Sequence, residues 1–221
     1  MKDFNEIKII GFDLDQTLYP KSPEIDDAIQ TYIYDQIAKN FKMDKETARK
    51  KFDGLYKKGK GLSGSKSLVV LGFPIERAGE IIQEALENAP IAKFLKPNKK
   101  VLDLLNNLKT KYKFIDLITG SNKSNATIKL EKLEIPKQTF SNVITADNGS
   151  KSDLSAFNLW FSFYSDYKTE NFLYIGDRVS SDYEQPRKLG IQSILVNLKT
   201  PDSNVECLQL NNLLDIEKYL L

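Results

Sequence analysis

The run Ile7–Phe12, IKIIGF, is apolar to its last residue and then stops at Asp13-Leu14-Asp15. The same design recurs as KFIDLIT at 113–119, NVITA at 142–146, NFLYIG at 171–176 and IQSILVN at 191–197. Each run is rich in β-branched or aromatic residues and ends near Asp, Gly, Thr or Asn. Continuous apolar runs of this length suit strands buried on both faces of a parallel sheet. Segments of helical length separate them, at 98–110, 123–133, 152–165 and 181–189. That alternation predicts an α/β fold, a Rossmann-like doubly wound parallel sheet. VECLQL at 205–210 is expected to add an edge strand before a final helix over 211–220.

Residues 20–92 break the rhythm. Ile25, Ile29, Ile33 and Ile37, then Ile81, Ile82, Ala85 and Leu86, carry helical periodicity, and no convincing strand intervenes. A Gly/Ser-rich connector, GKGLSGSKS at 59–67, interrupts the segment. The expected organisation is a core of residues 1–18 and 93–221 with an inserted all-helical domain over 19–92.

Composition narrows the chemistry. The 221 residues are 41% hydrophobic, enough for a real core, and carry a net charge of +2. Neither a nucleic acid polymer nor an anionic membrane is the expected partner, and only Arg49, Arg77, Arg178 and Arg187 are arginines. With no histidine and only Cys207, there is no Ser-His-Asp triad, no His-ligated metal and no internal disulfide. No charged-then-apolar leader or long apolar stretch appears, so a cytoplasmic protein is expected. The reaction must rely on carboxylates, hydroxyls, lysines and backbone amides.

In an open parallel sheet, ligands bind beyond the carboxyl ends of the strands. Those ends carry Asp13, Asp15 and Thr17 after the first strand, and Thr119, Gly120, Ser121 and Asn122 after the second. Lys151 precedes the helix following the third, and Gly176, Asp177 and Asp182 follow the fourth. A hard divalent cation takes carboxylates, substrate phosphate and water. A carboxylate attacks phosphorus once that metal and nearby donors neutralise the repulsion. A hydroxyl and a lysine aimed at the transferring oxygens supply electrostatic stabilisation. A second carboxylic acid two residues along can protonate the leaving alcohol and later activate water.

FDLDQT at 12–17 matches the DxDx[TV] signature of the haloacid dehalogenase (HAD) superfamily of phosphohydrolases. The later strand-end Thr, the Lys and the Gly-Asp-x-x-x-x-Asp at 176–182 resemble its remaining motifs, in order. FDLDQTLYPKSPEI at 12–25, YKKGKGLSGSKSLVVLGFPI at 56–75 and LKPNKKVLDLLNNLK at 95–109 resemble the pyrimidine 5′-nucleotidase-like branch. That branch often has Asp-Asp-Ser at the fourth motif and Thr-Asn-Ala at the second. GDRVSSD at 176–182 and TGSN at 119–122 keep the general superfamily form.

The resemblance implies a helical cap over 19–92 and a Mg²⁺-dependent, two-step phosphatase. It casts Asp13 as nucleophile and metal ligand, and Asp15 as general acid–base that also touches the metal through its carbonyl. Thr119, Gly120 and Ser121 bind phosphate oxygens. Lys151 pairs with Asp13 and the phosphate, and Asp177 and Asp182 hold Mg²⁺, the latter directly or through water. Dehalogenases of the superfamily lack the second aspartate, because a halide leaves without a proton. The implied substrate is a small phosphorylated metabolite, a nucleoside 5′-monophosphate first. Sugar-phosphate or phosphoglycolate-type phosphatases are the alternative, with a phosphomutase or a non-catalytic scaffold behind them. A monomer or homodimer is expected. Tyr32, Tyr34, Phe41, Phe52 and Tyr56 either stack on a base or form the helical domain's core. Lys60, Ser63 and Lys66 are candidate donors in the connector, Arg178 a candidate substrate contact, and Tyr19 to Ser22 the expected hinge and flap.

Overall fold

Buried along its whole length, β1 (Ile9–Phe12) runs through a six-stranded sheet. The other strands are β2 (Phe114–Ile118), β3 (Val143–Ile144), β4 (Phe172–Gly176), β5 (Gln192–Leu195) and β6 (Leu208–Gln209). Their order is β3-β2-β1-β4-β5-β6 and every pairing is parallel. The structure is a computed structural model that describes residues 4–56, 61–198 and 200–221. The chain winds outward from β1 through β2 to β3, then returns to β1's other side with β4. Strand order therefore reverses between β1 and β4, and in sheets of this kind ligands bind beyond the carboxyl ends at that point. Asp13 follows the first of these strands and Asp177 the second.

Two compact units are present, Met1–Lys21 with Leu95–Leu221, and Ser22–Phe94. The first holds the sheet and α5 (Lys99–Lys111), α6 (Lys123–Lys132), α7 (Ser155–Ser162), α8 (Glu184–Lys188) and α9 (Glu217–Leu220). Its sheet packs on α7 through Trp160, Phe157, Tyr174, Phe172 and Ile9, all wholly buried. A Cβ on Gly11 would lie 2.8 Å from the Trp160 ring, so the indole requires glycine there. Asp116 interrupts the apolar run of β2 and is buried, yet it accepts from Trp160 Nε1, Tyr164 OH and both nitrogens of Asn142. Full satisfaction makes a buried carboxylate tolerable.

Several elements are shorter than their sequence patterns. β3 keeps two residues because the Thr145 amide donates to the Asn148 side chain at 3.0 Å instead of extending a ladder. The helix expected from 152 starts at Ser155, whose hydroxyl and amide are tied into the preceding loop with Ser150 and Asp153. Lys151 is therefore delivered by a loop. The segment expected as one helix over 181–189 is a wide turn, Val179–Tyr183, followed by α8. The final helix is a 3-10 turn, Leu213–Ile216, leading into α9.

The second unit holds α1 (Pro23–Phe41), α2 (Lys45–Asp53), α3 (Gly64–Leu71) and α4 (Ile75–Asn88). Ser22, Asp44 and Ser63 cap the first three, each accepting from a backbone amide of the first turn. Phe52, Leu68, Ile37 and Ile81 are its buried centre. Tyr34 and Phe52 belong to that core, with Tyr32, Phe41 and Tyr56 packed against it, so the aromatic set is structural. The second half of the expected connector is helical, with Ser63 as a cap and Lys66 exposed; Lys60 lies outside the described residues. Among the described residues, no helix is long and apolar enough to cross a membrane.

Candidate active site

The Asp13 amide donates to Ile175 O at 2.8 Å, continuing the β1–β4 pairing one residue past the strand. Gln16 then takes a left-handed backbone (φ 63°), and the Asn197 side chain donates to the carbonyls of Gln16 (2.9 Å) and Thr17 (3.0 Å). A residue from the end of β5 thus clamps the turn that carries both aspartates.

Lys151 Nζ donates to Asp13 Oδ1 and to Asp182 Oδ1, each at 2.7 Å, and sits 3.3 Å from the Tyr174 hydroxyl. Thr17 Oγ1 donates to the other Asp13 oxygen at 3.3 Å. Burial is the largest influence on Asp13 and pushes it up; Lys151 opposes this, while Asp182, Asp15 and Asp177 add to it, leaving the carboxyl at about 7. Burial alone would lower Lys151, but Asp13 and Asp182 hold it well above its ordinary value.

Asp182 is wholly buried. Its Oδ2 accepts from the amides of Asp177 and Arg178, at 3.1 and 2.9 Å, and its Oδ1 accepts from Lys151 and Ser181. This tight return requires Gly176, where a Cβ would lie 2.4 Å from the Asp182 side chain. Asp177 is the opposite case. Both of its oxygens are buried and accept no well-formed hydrogen bond, with Lys21 Nζ lying 3.1 Å from Oδ2 and Arg178 Nε 3.9 Å from Oδ1. Burial raises its carboxyl, against the pull of Lys21 and Arg178.

Oxygens of Asp13, Asp177 and Asp182 lie within 4.8 Å of one another. Three buried carboxylates, one with orphaned oxygens, form a donor set that fits a hard divalent cation. The Asp177 oxygens accept no well-formed hydrogen bond and each Asp13 oxygen accepts one side-chain hydrogen bond, which leaves lone pairs for direct ligation. Asp182 already accepts four hydrogen bonds, so it suits a contact through water.

Asp15 has separate partners. Its Oδ1 accepts from Lys129 Nζ and Tyr19 OH, both at 2.5 Å, and its Oδ2 accepts from Ser121 Oγ at 2.6 Å. Burial would raise this carboxyl, but Lys129, Ser121 and Tyr19 together hold it below the usual range. The Ser121 hydroxyl is thereby committed to Asp15. Thr119 Oγ1 accepts from the Ser121 amide at 3.1 Å, and Gly120 keeps open space where a Cβ would stand. Tyr19, expected in a flap, is buried on Asp15.

Sequence reasoning missed Lys129 and placed Tyr19 in the hinge and flap rather than on Asp15. The available signal was position: Lys129 shares the buried stripe of α6 with Ala126 and Leu130, where a charge needs a partner.

The model of the haloacid dehalogenase-like hydrolases matches residues 10–196. Among curated proteins, none matches the sequence. Similar solved structures include a haloacid dehalogenase-like family hydrolase from Streptococcus pneumoniae, with 20% identity, a TM-score of 0.68, and 98% of this chain and 99% of that one covered. A HAD phosphatase from Thermococcus onnurineus gives 20% identity and a TM-score of 0.58, covering 97% and 98%. A 2-haloacid dehalogenase from Pseudomonas syringae pv. Tomato gives 18% and 0.56, over 97% and 98%. At such identities the likeness is one of fold, shared here by a phosphatase and a dehalogenase. The match over residues 10–196 goes further, and the chain belongs to the haloacid dehalogenase-like hydrolase family.

Proposed function

We propose that this protein is a Mg²⁺-dependent phosphatase that hydrolyses small phosphate monoesters through an aspartyl-phosphate on Asp13. The observation that carries the reading is the buried Asp13–Asp177–Asp182 cluster, in which both Asp177 oxygens accept no well-formed hydrogen bond. Asp15 supports it within the family, since displacing a halide calls for no proton donor.

Asp13 and Asp177 would hold the cation, and Asp182 would reach it through water. The bound metal supplies charge neutralisation between an anionic nucleophile and an anionic phosphate. Asp13 attacks phosphorus in line, and Lys151 steadies the charge on Asp13 and on the transferring oxygens. Thr119 and the Gly120 amide hold phosphate oxygens. Asp15 gives a proton to the leaving oxygen, then takes one from the water that hydrolyses the acyl phosphate. The helical unit is read as the cap that sets specificity. A nucleoside 5′-monophosphate is the leading substrate, on the three segments that resemble the pyrimidine 5′-nucleotidase-like branch.

The test is phosphate release with Mg²⁺, with and without EDTA, across UMP, CMP, AMP, GMP, phosphoglycolate and several sugar phosphates. Preference for UMP and CMP supports the nucleotidase. Metal-dependent release confined to sugar phosphates or phosphoglycolate keeps the mechanism and removes the nucleotide. No release from any of them removes the phosphatase.

A further inference from the structure

Lys129 occupies a place in the buried stripe of α6 where a hydrocarbon would serve packing, and a buried ammonium is costly unless paired. Its partners form a closed ring. Nζ donates to Asp15 Oδ1 at 2.5 Å and to Ser121 Oγ at 2.8 Å, and Ser121 Oγ donates to Asp15 Oδ2 at 2.6 Å. Tyr19 OH adds a second donor to Oδ1. A carboxylate oxygen has two lone-pair positions. Oδ1 is therefore saturated by Lys129 and Tyr19, while Oδ2 keeps one position open. The Asp15 side chain is 21% exposed and that of Lys129 only 5%, so the accessible side of the ring belongs to the carboxylate.

We propose that Lys129 is the positioning residue for Asp15, and that the ring it closes with Ser121 makes Oδ2 the oxygen that exchanges the proton with substrate and water. This rests on the reading of Asp15 as general acid–base. In the first step a bond forms between Asp13 and phosphorus and the ester P–O bond breaks. Its electron pair goes to the leaving oxygen, which takes from Oδ2 the proton that the hydrolytic water left there in the preceding turnover. In the second step water's oxygen bonds to phosphorus and the Asp13–phosphorus bond breaks, restoring the carboxylate. The water proton goes to Oδ2, so the proton balance closes over one turnover. Proton transfer is sensitive to small misplacement, and without the lysine the Asp15 side chain loses one anchor of its rotamer.

The experiment compares kcat/KM for phenyl phosphate and 2,4-dinitrophenyl phosphate, two aryl esters whose leaving groups differ in their need for a proton. Lys129→Met is expected to lower the phenyl phosphate value by about tenfold or more and the dinitrophenyl value by less than about threefold. Ser121→Ala, which removes little volume, should shift the ratio the same way and carries the test if Lys129→Met fails to fold. In an Asp15→Asn background, Lys129→Met should change the ratio no further. If both substrates fall together, or neither does, in Lys129→Met or Ser121→Ala while Asp15→Asn still discriminates between them, the ring has no positioning role. If Asp15→Asn itself does not discriminate, or the wild type hydrolyses neither ester, the acid–base reading fails first and the ring falls with it.

Discussion

Lys129 is buried and Lys151 nearly so, and each holds one aspartate of the Asp13-Leu14-Asp15 turn, yet the two pockets differ in their buried groups. The Lys151 pocket gathers Asp13, Asp182 and Asp177 around one ammonium, with Lys21 and Arg178 reaching Asp177 from partly exposed positions. The Lys129 pocket sets one ammonium and two hydroxyls against a single carboxylate. The consequences run in opposite directions, with Asp13 raised to about 7 and Asp15 lowered. Among the groups shielded from solvent, three carboxylates face one ammonium beside Asp13, whereas one carboxylate meets one ammonium beside Asp15, the other two cations being partly exposed. On the proposed function, the contrast would place the metal beside Asp13 and leave the Asp15 side chain to the proton transfers.

The sharpest break of this contrast is Asp13→Asn, expected to leave less than about 1% of wild-type turnover, because covalent catalysis supplies far more than tenfold. Phosphate release above that level would place the nucleophile elsewhere. Next is Asp177→Asn, expected to raise the Mg²⁺ concentration for half-maximal activity by about tenfold or more if Asp177 is the ligand proposed. A Mg²⁺ titration that overlays the wild type would remove Asp177 from the metal site.

Thermal melts of metal-free protein then separate the pockets by sign. At pH 8, Asp13→Asn should raise the melting temperature, as it removes a charge that burial disfavours and three neighbouring carboxylates repel. Asp15→Asn should destabilise by about 1–3 kcal/mol, as it leaves the buried Lys129 without its anion. Equal signs would mean that the two pockets do not differ as described. The smallest effect is the pH course of the Asp13→Asn gain. The folded wild type binds a proton at Asp13 that the unfolded chain has lost between pH 3.8 and about 7. Wild-type stability therefore falls with rising pH across that window, and the gap opens from near pH 4 to a plateau above about pH 7. Saturating Mg²⁺ should narrow the gap, because it supplies the missing positive charge to the wild type.

How much of this was readable before folding follows from where each group sits. The IKIIGF run that ends at Asp13 is a buried strand meeting a polar turn, and such an abrupt change of polarity is visible in one dimension. The same holds for NFLYIG ahead of Asp177. The parallel sheet follows from these runs, although β3 shortened to two residues because side chains of its neighbouring loop took its amide. Lys129 was hidden for a different reason. It reaches Asp15 across 114 positions, and one lysine among many carries no mark until the buried face of α6 is known. Asp116 shows the same limit: its partners Asn142, Trp160 and Tyr164 come from distant parts of the chain. In Ser22–Phe94, aromatic spacing alone left core and ligand contact open, and packing decides for the core.

The most direct test of the catalytic reading is acid-quenched labelling with ³²P-phenyl phosphate in Mg²⁺. Expected is a protein-bound phosphate that hydroxylamine removes, that does not form in EDTA, and that is absent from Asp13→Asn. Phosphate released with no labelled protein, or a label that persists in Asp13→Asn, would contradict a covalent intermediate on Asp13.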